Sequence, residues 1–157
     1  MIDVTEAIKI IEGSLLELPA VQVPLEKALG RVLRQKIVAD SDFPPYNRVM
    51  MDGIAIDYQD LQNGITVFNI MGVQAAGDPQ MELNNPGDCI EVMTGAVAPL
   101  NSNVVIPYEE VLIDEQKGIA RVQNAHTKSG KNIHLKGTDK KPGEIAELFG
   151  PQPVCKS

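Results

Sequence analysis

The sequence predicts an α+β protein that is mostly β, and three observations support this fold class. Helical periodicity is confined to about the first 35 residues. From there to about residue 125, short apolar runs are separated by turn signals such as Asn63-Gly64, a pattern typical of an all-β module. Residues 128–157 are rich in Lys, Gly and Pro. We therefore expect helices first, a β-rich middle and a sparse C-terminal segment.

The N-terminal segment carries two helical patterns. Asp3 and Glu6 have the spacing of a capped helix start. The apolar residues that follow recur at helical spacing, and this first helix is expected to stop between Gly13 and Pro19. Val21 and Val23 suggest a short strand. Pro24 then precedes a second predicted helix, with its apolar face formed by Leu25, Ala28, Leu29, Val32 and Leu33.

The middle of the chain is predicted to hold seven short strands. Each is a β-rich apolar or alternating run that ends at a Gly, Pro, Asn or Asp cluster. The predicted strands cover residues 36–39, 53–58, 65–73, 88–93, 104–107, 110–113 and 119–123.

Composition narrows the classes of function. A chain of 157 residues with 43% hydrophobic content suits one domain or two small ones. A formal charge of −7 and a pI of about 4.8 disfavour a nucleic-acid partner, which needs a basic face. Cys89 and Cys155 lie far apart without metal-ligand spacing, so we expect no disulfide framework or zinc site, and a reducing, cytoplasmic setting.

The two chain ends suggest the wider context. The start MIDVTEAIKI is acidic, and the sequence has no run approaching 18 apolar residues, so we expect a protein that is neither exported nor membrane-spanning. The end GPQPVCKS has no capping or strand-closing pattern. We therefore expect a fragment of a longer protein.

The stretch PPYNRVMMDGIAI, residues 44–56, is the first of three candidate loops. Pro44 and Pro45 make its entry extended and rigid. Each loop places a short polar side chain beside glycine next to a strand: Asp52-Gly53, Thr94-Gly95 and Gly137-Thr138-Asp139. Glycine lets backbone N–H groups approach anionic oxygens closely, which suits phosphate or oxyanion chemistry. The alternative is that each loop is an ordinary turn or strand end.

Other candidates have simpler interpretations. His126 and His134 are expected to be solvated or hydrogen-bonded rather than metal ligands or bases. Glu109 and Glu110 could offer a magnesium ligand, although one of two adjacent acids on a strand usually faces solvent. Met50-Met51 is expected to pack in a core, and Arg48 to pair at the surface.

Five motifs in order resemble the N-terminal region of the molybdopterin molybdenumtransferases, the MoeA and gephyrin E-domain family. They are VPLEKALGRVL (23–33), DFPPYNRVMMDGIAI (42–56), PGDCIEVMTGAVAP (86–99), NVVIPYEEV (103–111) and GKNIHLKGTDKKPGE (130–144). The resemblance covers nearly the whole chain.

The resemblance implies an architecture and an activity. An elongated mixed domain, residues 1–44 and 131–157, would be interrupted by an inserted, barrel-like β-rich domain, residues 45–130. Family members pair as homodimers and insert molybdate into adenylated molybdopterin with Mg2+, releasing AMP. A pterin-binding domain that completes their active site is missing from these residues, so we expect this chain alone to be inactive.

The resemblance also implies site residues. Catalytic roles would fall to Asp52, Thr94 and Asp139, with Asp52 and Asp139 also binding metal. Pro44, Pro45, Gly53 and Gly95 would contribute to substrate binding. The chain departs from the family pattern at five positions, where it carries Arg48, Val49, Ile54, His134 and Thr138 instead of the usual Asn, Ser, Tyr, Arg and Glu.

Two other functions stay open. The chain could be a non-catalytic module of the same fold that binds a protein partner, as the gephyrin E domain does in receptor anchoring. It could also be a β-rich domain without a ligand. A scaffold has no need of acids in glycine loops, so Asp52 separates the first alternative from the enzyme.

Overall fold

The structure, a computed structural model, describes residues 2–14, 18–123 and 127–145. The chain divides into two compact units, Met1–Lys36 and Ile37–Ser157. The described part is mostly β, in agreement with the predicted fold class. Leu15, His126, Cys155 and the chain end after residue 145 lie outside the described residues.

The first unit contains the predicted first helix. Helix α1 spans Val4–Gly13, and the Asp3 carboxylate caps it by accepting the N–H of Glu6 at 2.7 Å. The second predicted helix is wrong: only a single 3-10 turn, Leu25–Lys27, forms there. Gly30 adopts a positive φ of 77°, which ends helical geometry regardless of the apolar spacing. Residues 21–23 form no strand, so that prediction is also wrong.

The second unit is built on a six-stranded sheet with the strand order β5-β2-β4-β3-β7-β6, beside a two-stranded sheet of β1 and β8. The β3–β4 pair is parallel and the other pairs are antiparallel. A short helix α2, Tyr58–Gln62, follows β2. The strands are β1 Arg48–Val49, β2 Gly53–Ile56, β3 Val67–Gln74, β4 Asp88–Val92, β5 Val104–Pro107, β6 Val111–Asp114, β7 Ile119–Val122 and β8 Ile133–His134.

Six of the seven predicted strands are confirmed to within two residues. The predicted strand at residues 36–39 is wrong, because that segment makes only an isolated bridge between Val38 and Ile145. A second bridge pairs Phe43 with Lys140. Residues 38–43 therefore run antiparallel to residues 140–145.

The central strands are buried on both faces of the sheet. In β2, Ile54 and Ile56 join one apolar cluster with Phe68, while Ala55 joins a second cluster with Ile90 on the other side. Strand residues alternate between faces, so these two clusters sandwich the sheet. The ends of these buried strands carry the first two candidate loops, with Asp52 just before β2 and Thr94 just after β4.

No helix in the described ranges is long and apolar enough to cross a membrane.

Candidate functional site

The first two candidate loops lie together at one end of strands β2 and β4 in the six-stranded sheet. Gly53, the first residue of β2, is paired with Val92 at the end of β4 and with Pro107 at the end of β5. Antiparallel neighbours run in opposite directions, so the start of β2 meets the ends of both strands. Asp52 and Thr94 therefore lie together although 42 positions separate them.

The Asp52 carboxylate is held by Thr94. Its Oδ1 accepts the Thr94 backbone N–H and the Thr94 hydroxyl, each at 2.7 Å. These hydrogen bonds, the hydroxyl first and the N–H second, lower the pKa of Asp52. Asp52 is exposed to solvent. Asp52 is thus a carboxylate whose orientation is fixed by hydrogen bonds and which is ionised at neutral pH.

Thr94 owes its position to a tight turn. The Ala96 N–H donates to the Met93 carbonyl at 3.0 Å, and Gly95, the third residue of this turn, has a φ of 90°. That φ suits glycine at the third position of a type II turn. The Gly95 N–H is bound to the Val49 carbonyl at 2.9 Å, so it is engaged within the protein.

Gly53 is fixed by packing rather than by a positive φ. A Cβ atom at this position would lie 1.9 Å from the Ile106 carbonyl oxygen. Only glycine therefore lets β5 approach the start of β2 this closely. The residue supports the placement of its neighbour Asp52.

The proline loop lies against the third candidate loop. The Pro44 carbonyl accepts the Gly137 N–H at 2.9 Å, and the Phe43 carbonyl accepts the Asp139 N–H at 2.9 Å. Pro44 is buried and Pro45 is exposed. Gly137 has a φ of 69°, and a Cβ there would lie 2.8 Å from Asp42 Oδ1. Residues 43–44 thus fix the backbone of the loop that carries Asp139.

Asp139 pairs with a histidine. Its Oδ1 lies 2.8 Å from His134 Nε2, and the Thr138 hydroxyl oxygen lies 3.2 Å from the same nitrogen. A carboxylate only accepts, so Nε2 carries the proton. The Thr138 hydroxyl donates to the Leu135 carbonyl at 2.7 Å, which leaves its oxygen free to accept. His134 is therefore hydrogen-bonded, as its simpler interpretation predicted.

Strand β1 separates the Thr94 turn from the Asp139 loop. The Val49 N–H donates to the Ala96 carbonyl at 2.9 Å, next to the turn, and Arg48 pairs with His134 of β8. The structure thus brings Asp52 and Thr94 into direct contact, whereas the Asp139 carboxylate is bound to His134. The catalytic, substrate-binding and metal-binding roles expected for these residues stay predictions.

Tyr108 and Glu91, which were not predicted from the sequence, lie close to the same end of strands β2 and β4. The Tyr108 hydroxyl donates to Glu91 Oε2 at 2.9 Å. Burial, followed by this hydrogen bond, raises the pKa of Tyr108, so the phenol keeps its proton. A signal was present, since Glu91 is a charged residue within a buried apolar strand. Glu110, one of the two acids predicted as a possible magnesium ligand, instead forms a salt bridge with Lys131 at 3.6 Å.

The expectation that Met50 and Met51 are core residues is wrong. Each is 42% exposed. They precede Asp52 in the connection between β1 and β2, where the chain has left the sheet interior. An apolar surface therefore borders the exposed carboxylate.

Comparison with known proteins shows the family. Residues 2–147 match the family described as the MoeA N-terminal region (domain I and II). The molybdopterin molybdenumtransferase of Synechocystis sp. is 37% identical over 156 residues, which cover 96% of this chain and 40% of that protein. The protein of the same name from Staphylococcus epidermidis is 30% identical over 148 residues, covering 92% and 35%.

Solved structures agree with the sequence comparison. A crystal structure of the molybdopterin biosynthesis MoeA protein from Pyrococcus horikoshii OT3 superposes with a TM-score of 0.74 at 31% identity, covering 91% of this chain and 38% of that one. The chain thus spans 35–40% of the length of these relatives. With a family match over nearly all of its residues, the chain belongs to the MoeA N-terminal region family.

Proposed function

We propose that this chain supplies part of the active site of a molybdopterin molybdenumtransferase, which inserts molybdate into adenylated molybdopterin and releases AMP. Relatives that match it over more than 90% of its length bear that name. The observation that carries the proposal is the exposed Asp52 carboxylate held by two hydrogen bonds from Thr94. The family resemblance points to these same two residues as catalytic.

The Asp52–Thr94 pair suits a reaction between anions. Oδ1 of Asp52 is occupied by Thr94, so Oδ2 is the oxygen available to a cation or a substrate proton. The Thr94 hydroxyl hydrogen points at Asp52 and must rotate away before it can donate to a molybdate or phosphate oxygen. Substrate binding would then exchange one hydrogen bond of Thr94 for another, without moving the backbone that fixes the pair.

The residues fit Mg2+ as part of a shared site. Enzymes hold Mg2+ with one or two carboxylates together with substrate phosphates and water. Asp52 and Asp139 are exposed, and each would supply one carboxylate ligand, Asp139 through the oxygen that His134 does not occupy. The described residues contain no group of three or more metal-binding side chains. Most ligands would therefore come from the substrate. Bound Mg2+ would neutralise negative charge on phosphate or molybdate oxygens.

The glycines and prolines of the candidate loops would contribute to substrate binding mainly by shaping the loops rather than by direct contact. The Gly95 and Gly137 N–H groups are bound to carbonyls of the protein, and Pro44 is buried. Their contribution is to shape the loops that present Asp52, Thr94 and Asp139. Pro45 remains available at the surface.

We further propose that the site is completed outside this chain, by the pterin-binding domain of a cytoplasmic homodimer. The chain spans at most 40% of its named relatives, which leaves room for such a domain. The discontinuous domain of residues 1–44 and 131–157 around a β-rich domain of residues 45–130 is part of this proposal. The bridges Val38–Ile145 and Phe43–Lys140 support it, since they join residues that precede the six-stranded sheet in the sequence to residues that follow it.

The test is a titration of the 157-residue chain with adenylated molybdopterin, in the presence of Mg2+ and molybdate, that follows binding and AMP release. We expect saturable binding without AMP release. Asp52→Asn should weaken binding about tenfold or more, because a charge-assisted contact is worth about 1.5–3 kcal/mol. Asp40→Asn, at another exposed acid, is the matched control.

Two outcomes would contradict the proposal. Equal affinity of wild type and Asp52→Asn would remove Asp52 from the site. Absence of saturable binding by all three chains would show that this chain does not hold the substrate by itself, and would favour a site formed mostly by domains outside these residues.

A further inference from the structure

Tyr108 spans the start of β2 from one neighbouring strand to the other. It follows the last residue of β5, and its hydroxyl reaches Glu91 in β4, on the far side of β2. Ile54 of β2 pairs with Ile106 and with Glu91. The phenol therefore connects the two strands that flank β2.

The register places this connection on the face that leads to Asp52. Cross-strand partners share a face of the sheet, and so do residues two apart along a strand. Glu91 thus shares the face of Ile54, and Asp52 lies two residues before Ile54. Tyr108 begins a 3-10 turn directly after β5 and reaches the same face through the hydrogen bond from its hydroxyl to Glu91. The Tyr108–Glu91 hydrogen bond therefore lies on the face of the sheet next to Asp52.

Tyr108 also contacts the main chain of Asp52. The Tyr108 backbone N–H donates to the Asp52 carbonyl at 3.3 Å, which continues the β2–β5 ladder by one residue. At 3.3 Å this hydrogen bond is slightly longer than the usual range, so by itself it holds the Asp52 backbone only weakly. The hydroxyl end of that partly buried side chain is fixed by Glu91.

We propose that Tyr108 is a positioning residue for Asp52: locked by its hydrogen bond to Glu91, it holds the backbone from which the Asp52 carboxylate meets Thr94. The importance of this role for a reaction rests on the proposed function, whereas the positioning itself does not. The phenol remains protonated at neutral pH and therefore donates to Glu91 throughout the physiological range.

Three substitutions separate positioning from bulk packing. Tyr108→Phe keeps the ring and removes only the hydroxyl. Glu91→Ala removes the acceptor, whereas Glu91→Gln retains an amide oxygen that accepts the same hydrogen bond. Tyr58→Phe removes a hydroxyl near the other end of β2, where Tyr58 packs against the core, and is the matched control.

The experiment is an NMR titration of the 157-residue chain that follows the Asp52 carboxyl carbon and the Thr94 amide. In Tyr108→Phe and Glu91→Ala we expect the Asp52 pKa to rise toward that of an ordinary aspartate, and the Thr94 amide proton to move upfield. Both changes report loss of the Thr94 hydrogen bonds that lower this pKa. Glu91→Gln and Tyr58→Phe should resemble wild type.

The double variant Tyr108→Phe/Glu91→Ala should match either single variant, because both remove the same contact. The proposal is overturned if Tyr108→Phe folds and titrates at Asp52 like wild type, or if Glu91→Gln is as disruptive as Glu91→Ala. This readout needs no substrate. A failed substrate titration together with shifted Asp52 values would contradict the proposed function and leave the positioning role intact.

Discussion

Thr94 donates two hydrogen bonds to one oxygen of Asp52, from its backbone N–H and from its hydroxyl, and each is 2.7 Å long. The two residues meet because Asp52 precedes β2 and Thr94 follows its antiparallel neighbour β4. Sheet topology has thus turned an Asp-Gly pair and a Thr-Gly pair into a single site.

Thr94→Val should raise the pKa of Asp52 toward its ordinary value. The hydroxyl is the largest cause of the lowered pKa, and valine keeps the shape of threonine without it. A titration of the Asp52 carboxyl by NMR measures the change. Thr94→Ser is the control, because serine retains the hydroxyl, and identical titrations of the Val and Ser variants would contradict the assignment.

The stability lost in Thr94→Val should also depend on pH. The folded-state pKa of Asp52 is lower than in the unfolded chain, so the Thr94 hydrogen bonds stabilise the fold above the ordinary aspartate pKa. This contribution is lost as the pH falls through the lowered value. The difference in urea midpoint between wild type and Thr94→Val should therefore shrink from neutral to acid pH, and a constant difference would oppose the linkage.

Gly53→Ala should destabilise the second unit by about 1–3 kcal/mol or more. The new methyl group would lie 1.9 Å from the Ile106 carbonyl oxygen, so β2 and β5 would have to separate. Urea unfolding measures the loss. Gly13→Ala is the control, because no atom lies within 4 Å of a Cβ at that position, and it should have little or no destabilising effect. If Gly53→Ala is tolerated equally well, β2 and β5 can move apart without cost.

Gln74→Leu should lower the free energy of unfolding by about 2–6 kcal/mol. The fully buried Gln74 side chain donates to the Val97 carbonyl and accepts the Met81 N–H, each at 2.6 Å. Leucine would leave both backbone groups unpaired, at about 1–3 kcal/mol each. Exposed Gln62→Leu should be nearly neutral in the same unfolding assay, and equal effects of the two would rule out a special role for Gln74.

Cys89 should resist thiol reagents until the protein unfolds. It is fully buried, and burial, followed by the charges of Glu91 and Asp88, raises its pKa to about 12. At pH about 8 the thiolate fraction is then on the order of one in ten thousand. In a Cys155→Ser background we expect labelling at least about 100-fold slower than in denaturant, and rapid native labelling would place the thiol at the surface.

Most strands were predicted correctly for a physical reason. The predicted runs at 53–58, 88–93 and 104–107 are apolar because β2, β4 and β5 are buried on both faces, and short β-rich runs bounded by Gly, Pro and Asn are readily recognised. β1 and β8 are two residues long, too short for any period to show. The second helical pattern failed because Gly30 takes a positive φ within it.

The site was only partly visible for a related reason. The sequence offered Asp52 and Thr94 as separate glycine-adjacent polar residues, and the family resemblance joined them. It offered no local sign of Tyr108, whose partner Glu91 is 17 residues away. It also predicted a buried Met50-Met51 pair, because apolarity was visible and the departure of the chain from the sheet was not.

By itself, the sequence determined that this is a mostly β protein with a capped N-terminal helix, and its ordered motifs indicated the family. Those features depend on local periodicity, capping and turn chemistry, which neighbouring residues encode. Only the tertiary structure decided three hydrogen-bonded contacts: Thr94 with Asp52, His134 with Asp139, and Tyr108 with Glu91 across β2. Each of these contacts depends on strand order and register or on loop pairing, which bring together side chains whose positions no local pattern relates.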